Sequence, residues 1–311
     1  MTKALAPGSS RSRTYAPLLI ILAGCMWGTL GLFVRHLGSL GLDTMTIVLT
    51  RMLGSAVMMV VFLVAYDPSL LKVRLRHLWC FVGAGIASMA LFNYLYTLAV
   101  GLTTLSFAAV LLCTAPVFVV LLSAVIFGER VTPVKLVAML LTYLGCVLVA
   151  DAFQAGQSVT LWGVVTGIAS SLGYALYSIF SRSALLRGYR PMTINAYSFI
   201  FASAGCAVFA DFGQIASIVS RAPALNASIM LLHALIGVFL PYLLYTFGMQ
   251  YVDTGRAAIL ASCEPATATV AGAVAYGEMP TPISLVGMLL VFAALALMSG
   301  SFPIGRLRHT A

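Results

Sequence analysis

The sequence predicts an all-α membrane protein, with ten transmembrane helices arranged as two inverted five-helix repeats. Three observations lead there. The chain of 311 residues is 61% apolar and 8% charged, with a mean hydropathy of +1.05. Its apolar runs recur at about 20 residues, the length that crosses the hydrocarbon core at a rise of about 1.5 Å per residue. One set of residues in the first half also reappears in the second at a constant offset.

The runs lie at about 16–37, 44–66, 77–99, 103–127, 132–150, 160–181, 192–212, 226–249, 254–276 and 281–300. They lack the apolar and polar alternation of a barrel strand. Only helices satisfy their own backbone in lipid at such lengths. The leader MTKALAPGSSRSRTYAP is charged like that of a signal peptide, but the following run is too long and has no clear small-x-small cleavage site, so an uncleaved first helix is expected. The organisation expected is a cytoplasmic tail over 1–15, a first repeat over 16–150, a connecting loop over 151–159, a second repeat over 160–300 and a cytoplasmic tail over 301–311.

Orientation follows from the cations, which concentrate on the cytoplasmic side of short loops. With the N-terminus inside, Lys3, Arg11, Arg13, Lys72, Arg74, Arg76, Arg130, Lys135, Arg182, Arg187, Arg190, Arg256, Arg306 and Arg308 fall on cytoplasmic ends. Arg35 and Arg221 fall outside and Arg51 lies within the second span, so the split is 14 against 2. A count wrong by one helix would scramble it. The net charge of +9 is thus a topology signal read by anionic headgroups of the bilayer, and nucleic acid is not implied.

The repeat is read from Tyr96-Thr97, Pro116, Gly128-Glu129, Thr132-Pro133, Leu136-Val137 and Met139-Leu140-Leu141. They recur as Tyr245-Thr246, Pro265, Gly277-Glu278, Thr281-Pro282, Leu285-Val286 and Met288-Leu289-Leu290, always 149 positions on, as from 96 to 245. Five helices per unit is an odd number, so the second unit enters from the opposite side. Inverted repeats of this kind enclose the midplane substrate sites of many secondary transporters.

Some repeated residues have structural readings. In GERVTP and GEMPTP the glycine ends one helix, the threonine caps the next and the proline occupies its first turn. Glu129 and Glu278 read there as solvated loop acids. Gly24 and Gly28, and Gly163 and Gly167, form small-xxx-small faces suited to close helix approach, through static packing or rocking contacts. Cys25, Cys80, Cys113, Cys146, Cys206 and Cys263 stand singly inside spans, which suits small buried hydrophobes and neither disulfides nor a zinc site. No metal or cofactor is expected.

Other residues lie too deep for such readings. Glu264 is about 18 Å below the outer end of its span, and Arg51 and His233 are about 10 Å below theirs. An ionisable group at such depth marks a functional site or a buried pair. An Arg51–Glu264 pair would reconcile two such groups, either as part of a substrate site or as a salt bridge holding the bundle together. His233 reads more simply as a packing histidine. Trp27, Asn93, Tyr94, Tyr96, Tyr174, Tyr177 and Ser178 are candidate cavity residues, because an aromatic body with a polar tip serves an amphipathic solute or a helix interface. Pro116 and Pro265 are placed to bend matching helices around a cavity. Only Pro265 is preceded by an acid, since Ala115 precedes Pro116. That asymmetry favours a functional acid over an architectural one.

The segments CMWGTLGLFVR and TRMLGSAVM, the run AxLLxxxPVFxxLLSxxxFGERVTP and its partner AAILASCEPATATVAGAVAYGEMPTP resemble the drug/metabolite transporter superfamily in its EamA-type branch. The resemblance spans residues 16 to 300. It implies ten helices around a central cavity and a plasma-membrane permease, commonly an exporter, of amino acids or similar small metabolites. An intramembrane enzyme would need motifs such as GxSxG or HExxH, which the chain lacks, and of His36, His77, His233 and His309 only His233 is deep. The sequence contains no ATP-binding loop, so active transport would draw on an ion or solute gradient. The expected partners are a small-molecule substrate, the lipid bilayer and, for coupling, protons. A channel or a structural membrane subunit is the alternative of another class.

Overall fold

The computed structural model describes residues 10–103, 105–149, 160–277 and 279–299. The connecting loop, the C-terminal tail, most of the N-terminal tail and Glu278 lie outside them. Among the described residues, which hold no strand, eight helices are long and apolar enough to cross a membrane, and the 17-residue Pro133–Val149 and Pro191–Ala207 complete the order of ten. The first runs over Ser10–Gly28 and resumes at once as Leu30–Ser39, and the second is Thr44–Tyr66. The third spans Leu75–Leu102. The fourth consists of Leu105–Leu112 and Ala115–Phe127, the fifth is Pro133–Val149 and the sixth Leu161–Leu186. The seventh is Pro191–Ala207 and the eighth Pro223–Gly248. The ninth consists of Thr254–Ala261 and Glu264–Tyr276, and the tenth is Pro282–Ser299.

Two boundaries depart from expectation. Helix begins at Ser10, inside the expected tail. The seventh span stops at Ala207, and a separate helix, Phe212–Arg221, turns away from it by 101°. The Asp211 carboxylate drives that turn, accepting hydrogen bonds from the backbone N–H of Gly213 at 2.8 Å and of Gln214 at 3.3 Å. An acid that caps a new helix ends the old one. The third and eighth spans also widen to π-helical turns at Gly83–Ala90 and Leu235–Phe239, matching places in the two repeats. Such turns shift the helical register and often accompany functional sites.

The turn chemistry is as the residue types require. Gly128 and Gly277 end their helices in the left-handed region, at φ of 67° and 69°. Thr132 Oγ1 accepts from the Lys135 N–H at 3.3 Å, and Thr281 Oγ1 accepts from the Ser284 N–H at 3.1 Å. Glu129 is a correction, because it is not a solvated loop acid. Its carboxylate accepts from the N–H groups of Thr254 and Gly255 at 2.9 and 3.2 Å and so caps the ninth span from the end of the fourth. The unpaired donors and positive dipole end of a helix start are what draw a carboxylate there. Lys135 completes the cluster, 2.7 Å from Asp253.

Loops gather at two ends of the bundle, as successive antiparallel spans require. At one end Arg182 donates to the Met249 carbonyl at 2.7 Å, and Tyr189 Oη accepts from the Arg74 N–H at 3.1 Å. At the other, the Asp43 N–H donates to Gln214 Oε1 at 2.9 Å, and Thr160 Oγ1 donates to the Leu102 carbonyl at 3.1 Å.

Glycines set the tightest helix contacts, and these cross between repeats. A Cβ at Gly24 would collide with the Ala261 carbonyl, and one at Gly28 would lie 2.6 Å from the Glu264 carbonyl oxygen. The first span thus packs backbone to backbone across the break in the ninth. Gly163 and Gly167 meet Thr103 and Leu111, which brings the sixth span onto the fourth and its lead-in. Gly145 and Gly287 press on each other's backbones, with added Cβ atoms only 2.7 and 2.6 Å from the opposing oxygens, and join the fifth and tenth spans. Large side chains such as Val125 and Val274, 85% and 84% exposed, face outward. On a membrane bundle that surface meets acyl chains.

Candidate functional site

The fourth and ninth spans break at equivalent points. Leu105–Leu112 is followed by Cys113 and Thr114, and Thr254–Ala261 by Ser262 and Cys263, before Ala115 and Glu264 open the second half-helices. Pro116 and Pro265 therefore occupy the second position of a new helix, where a missing N–H is harmless, and are not kinks in a continuous one. Glu264 stands at the first position, near the midpoint of its span, where the exposed N–H dipoles favour a negative charge.

Beside the ninth-span break lies an aromatic cavity lined by both repeats. Trp27, Ser88 and Phe92 come from the first, and Tyr174, Tyr177, Ser178, Tyr242 and Tyr245 from the second. The space among them is tight, about 10 Å³ and room for little more than one water. Trp27 is its hub, with ring centroids 4.9 Å from Tyr242, 5.5 Å from Tyr245 and 6.3 Å from Tyr174. The tyrosine hydroxyls are held in place. Tyr177 donates to Asn195 Oδ1 at 2.7 Å and lies 2.8 Å from Thr246 Oγ1, and the Tyr245 and Ser178 hydroxyls are 2.8 Å apart.

Two ionisable side chains of the spans, Arg51 and Glu264, are not part of this lining and do not touch each other. Arg51 is 8% exposed and donates from Nη2 to Asn93 Oδ1 at 2.7 Å, while Asn93 is fixed by its own bond to the Met89 carbonyl at 2.7 Å. The Arg51 Nε is buried with no hydrogen-bond partner. The expected Arg51–Glu264 salt bridge is not formed. Among the described residues no acid lies within 4.0 Å of Arg51, and the half-buried Glu264 carboxylate has neither hydrogen bond nor ion pair. Asn93 turns the guanidinium toward the third span, while Glu264 opens the second half-helix of the ninth.

The other candidates divide. Trp27, Tyr174, Tyr177 and Ser178 line the cavity and Asn93 holds Arg51. Tyr96 stands behind the wall, its ring 6.0 Å from that of Phe92. Tyr94 is elsewhere, stacked on Phe209 at 4.5 Å, because neighbouring residues on a helix point about 100° apart and Asn93 takes the inward position. His233 is fully buried, stacked on Phe33 at 5.2 Å with both ring nitrogens unpartnered, and does not line the cavity. Cys25 and Cys263, far apart in sequence, meet beside the break with sulfurs 3.9 Å apart. No group of three or more His, Cys, Asp or Glu side chains among the described residues is arranged to hold a metal. Sequence reasoning missed Ser88, Phe92, Tyr242 and Tyr245. The 149-residue offset carries Asn93 and Tyr96 onto Tyr242 and Tyr245, and that signal was available.

Comparison with known proteins fits this geometry. A transporter of Archaeoglobus fulgidus, itself uncharacterized, is 28% identical over 295 residues, which cover 92% of this chain and 96% of that protein. The threonine/homoserine exporter RhtA of Escherichia coli is 27% identical over 214 residues, covering 69% of this chain and 68% of its own. One crystal structure aligns with a TM-score of 0.73 over 91% of this chain and 95% of the other at 20% identity, which speaks for the fold alone. The model of the EamA-like transporter family matches residues 14–150 and 161–300, so this multi-pass membrane protein belongs to that family, within the drug/metabolite transporter superfamily.

Proposed function

We propose that the protein is a secondary transporter of small amphipathic metabolites, foremost amino acids, and that it exports them across the plasma membrane by alternating access with both termini in the cytoplasm. The observation that carries this reading is the cavity itself. Its walls come from both repeats, beside a helix broken near the membrane midplane, as in transporters whose half-helix ends meet the solute. Aromatic faces and hydroxyls suit a solute with an apolar body and polar ends. The name of the relative RhtA supports amino acids and export. The excess of cations at one end of the bundle supports the orientation.

The test is a thermal-stability screen of the purified protein against the twenty amino acids and a set of sugars, nucleosides and amines, since a ligand that binds the folded state raises its apparent stability. Amino acids that stabilise, and that then exchange saturably across liposomes, bear the reading out. Stabilisation confined to another class of solute removes amino acids from it. Unsaturable flux indicates a channel. A reporter fused at the C-terminus and active only in its cytoplasmic form checks the orientation.

A further inference from the structure

We infer that Glu129, Lys135 and Asp253 form a latch between the two repeats, which holds one mouth of the transport path shut and parts when that mouth opens. This rests on the transport reading above and goes beyond it by naming the contact that has to break.

The seam between the fourth and ninth spans is closed at one end only. The half-helix Thr254–Ala261 packs along Ala115–Phe127, but their counterparts in the inverted repeat, Leu105–Leu112 and Glu264–Tyr276, make no extended contact among the described residues. On the closed side every residue of Thr254–Ala261 except Arg256 is buried, and a Cβ at Gly255 would lie 3.0 Å from Val120 Cγ2. On the other side only Ala266 of Glu264–Tyr276 is buried. The charged cluster stands at the loop end of the closed side. Lys135 Nζ lies 2.7 Å from Asp253 and 4.0 Å from Glu129 and donates to the Arg130 carbonyl at 3.0 Å, and its side chain is 9% exposed. The Glu129 carboxylate accepts from the Thr254 and Gly255 N–H groups. Glu129 and Lys135 belong to the first repeat, and Asp253, Thr254 and Gly255 to the second. Charges that would each be costly to bury alone thus close the seam by satisfying one another. Parting returns them to water, which replaces every bond, so the net cost of parting is modest. Apolar packing alone would expose its surface at each opening. The opposite end has no such pair in its sequence. The 149-residue offset carries Glu129 onto Glu278, but Lys135 onto Ser284 and Asp253 back onto Thr104. Identical mouths would favour neither state of an inverted repeat, and the ion pair supplies a bias towards the state seen here, shut at the end that bears Arg130 and Arg182.

The experiment follows the two mouths separately in the purified full-length protein in detergent, where both face the reagent. Val120→Cys reports the latched mouth and Thr269→Cys, 149 positions on, reports the other. Each is read as the rate of maleimide labelling above that of the parent's own cysteines. Asp253→Asn removes the partner charge of Lys135 while keeping an acceptor for the Arg256 N–H, and Lys135→Met removes the cation. Each is expected to speed labelling at Val120→Cys and to slow it at Thr269→Cys by about ten-fold or more, the scale of one lost charge-assisted contact. Lys135→Arg keeps the ion pair and should label like the wild type. Unchanged rates at both reporters overturn the inference. So does faster labelling at both together, which is what loosened packing produces, and so does a change in Lys135→Arg equal to that in Lys135→Met. If Lys135→Met does not fold, Asp253→Asn decides alone. The labelling needs no solute, so failure of the transport reading is told apart from failure of the latch: it shows as flux in liposomes that does not saturate, whatever the two reporters do.

Discussion

The fourth span breaks at Cys113 and Thr114 and the ninth at Ser262 and Cys263, the same place in each repeat, and each restarts as a half-helix with proline at its second position. Ala115 opens one half-helix and Glu264 the other. Their surroundings differ as well. The first span lies on the backbone of the ninth through Gly24 and Gly28, whereas Gly167 of the sixth span meets only the side chain of Leu111 on the fourth. Duplication has kept the broken backbone in both halves. The charge and the tightest packing belong to one. The break is thus common to both halves, while the acid stands in one.

The most severe way to break this comparison is to move the acid. Ala115→Glu combined with Glu264→Ala is expected to lower amino-acid exchange to background, measured by liposome counterflow. Restored exchange would mean that the acid serves either repeat and that the asymmetry is incidental. Next in size are the glycines. Gly24→Ala drives a methyl into backbone, and the cost of overpacking is about 2–3 kcal/mol there but about 1 kcal/mol or less for Gly167→Ala, where a leucine tip can swing aside. Thermal unfolding in detergent should rank the two in that order, and equal losses would erase the packing difference.

Glu129 sharpens the comparison in another way, because it reaches from the end of the fourth span to cap the start of the ninth. Glu129→Gln weakens a charge-assisted cap and should lower stability by about 1 kcal/mol, with a larger loss for Glu129→Ala. Unchanged melting of both variants would make the cap ornamental. The smallest effect is expected from the prolines. At the second position of a half-helix each is unstrained, so Pro116→Ala and Pro265→Ala should each shift stability by about 1 kcal/mol or less, far below the roughly 3 kcal/mol scale of a proline inside a helix. A large loss from one alone would show that the two breaks differ in backbone as well as in side chain.

Much of this was legible before any coordinates. Apolar length reports spans, because hydrocarbon thickness fixes helix length, and Gly128, Thr132 and Pro133 mark a turn because few other residues suit those backbone positions. The offset from Pro116 to Pro265 pointed to matching places in the two repeats, but as bends in continuous helices where the structure has breaks. The partners of deep polar groups were not legible. Composition places Arg51 inside the bundle, but only the rotation of the third span decides that Asn93 receives it, and the π-helical turn at Gly83–Ala90 resets that rotation without any residue that signals it. Tyr94 was misassigned for the same reason, since depth along a helix says nothing about the direction a side chain takes. Glu129 looked like any loop acid, because its partners stand 125 and 126 positions away. Asp211 looked like the end of a span when it is the start of a short helix across it.

The contacts of Gly24 and Gly28 bear on how the chain is made. The first span has a groove that the ninth fills, with residues 236 to 240 positions later in the chain. Through most of synthesis that groove must be covered by lipid or by a membrane chaperone, and the two halves mature together rather than in turn. A fragment ending near residue 150 would insert with its spans intact and its best surface empty. Supplied with the other half as a separate chain, it should recover that surface without a covalent link, because the glycines need the ninth helix as a neighbour and have no use for the peptide bonds between.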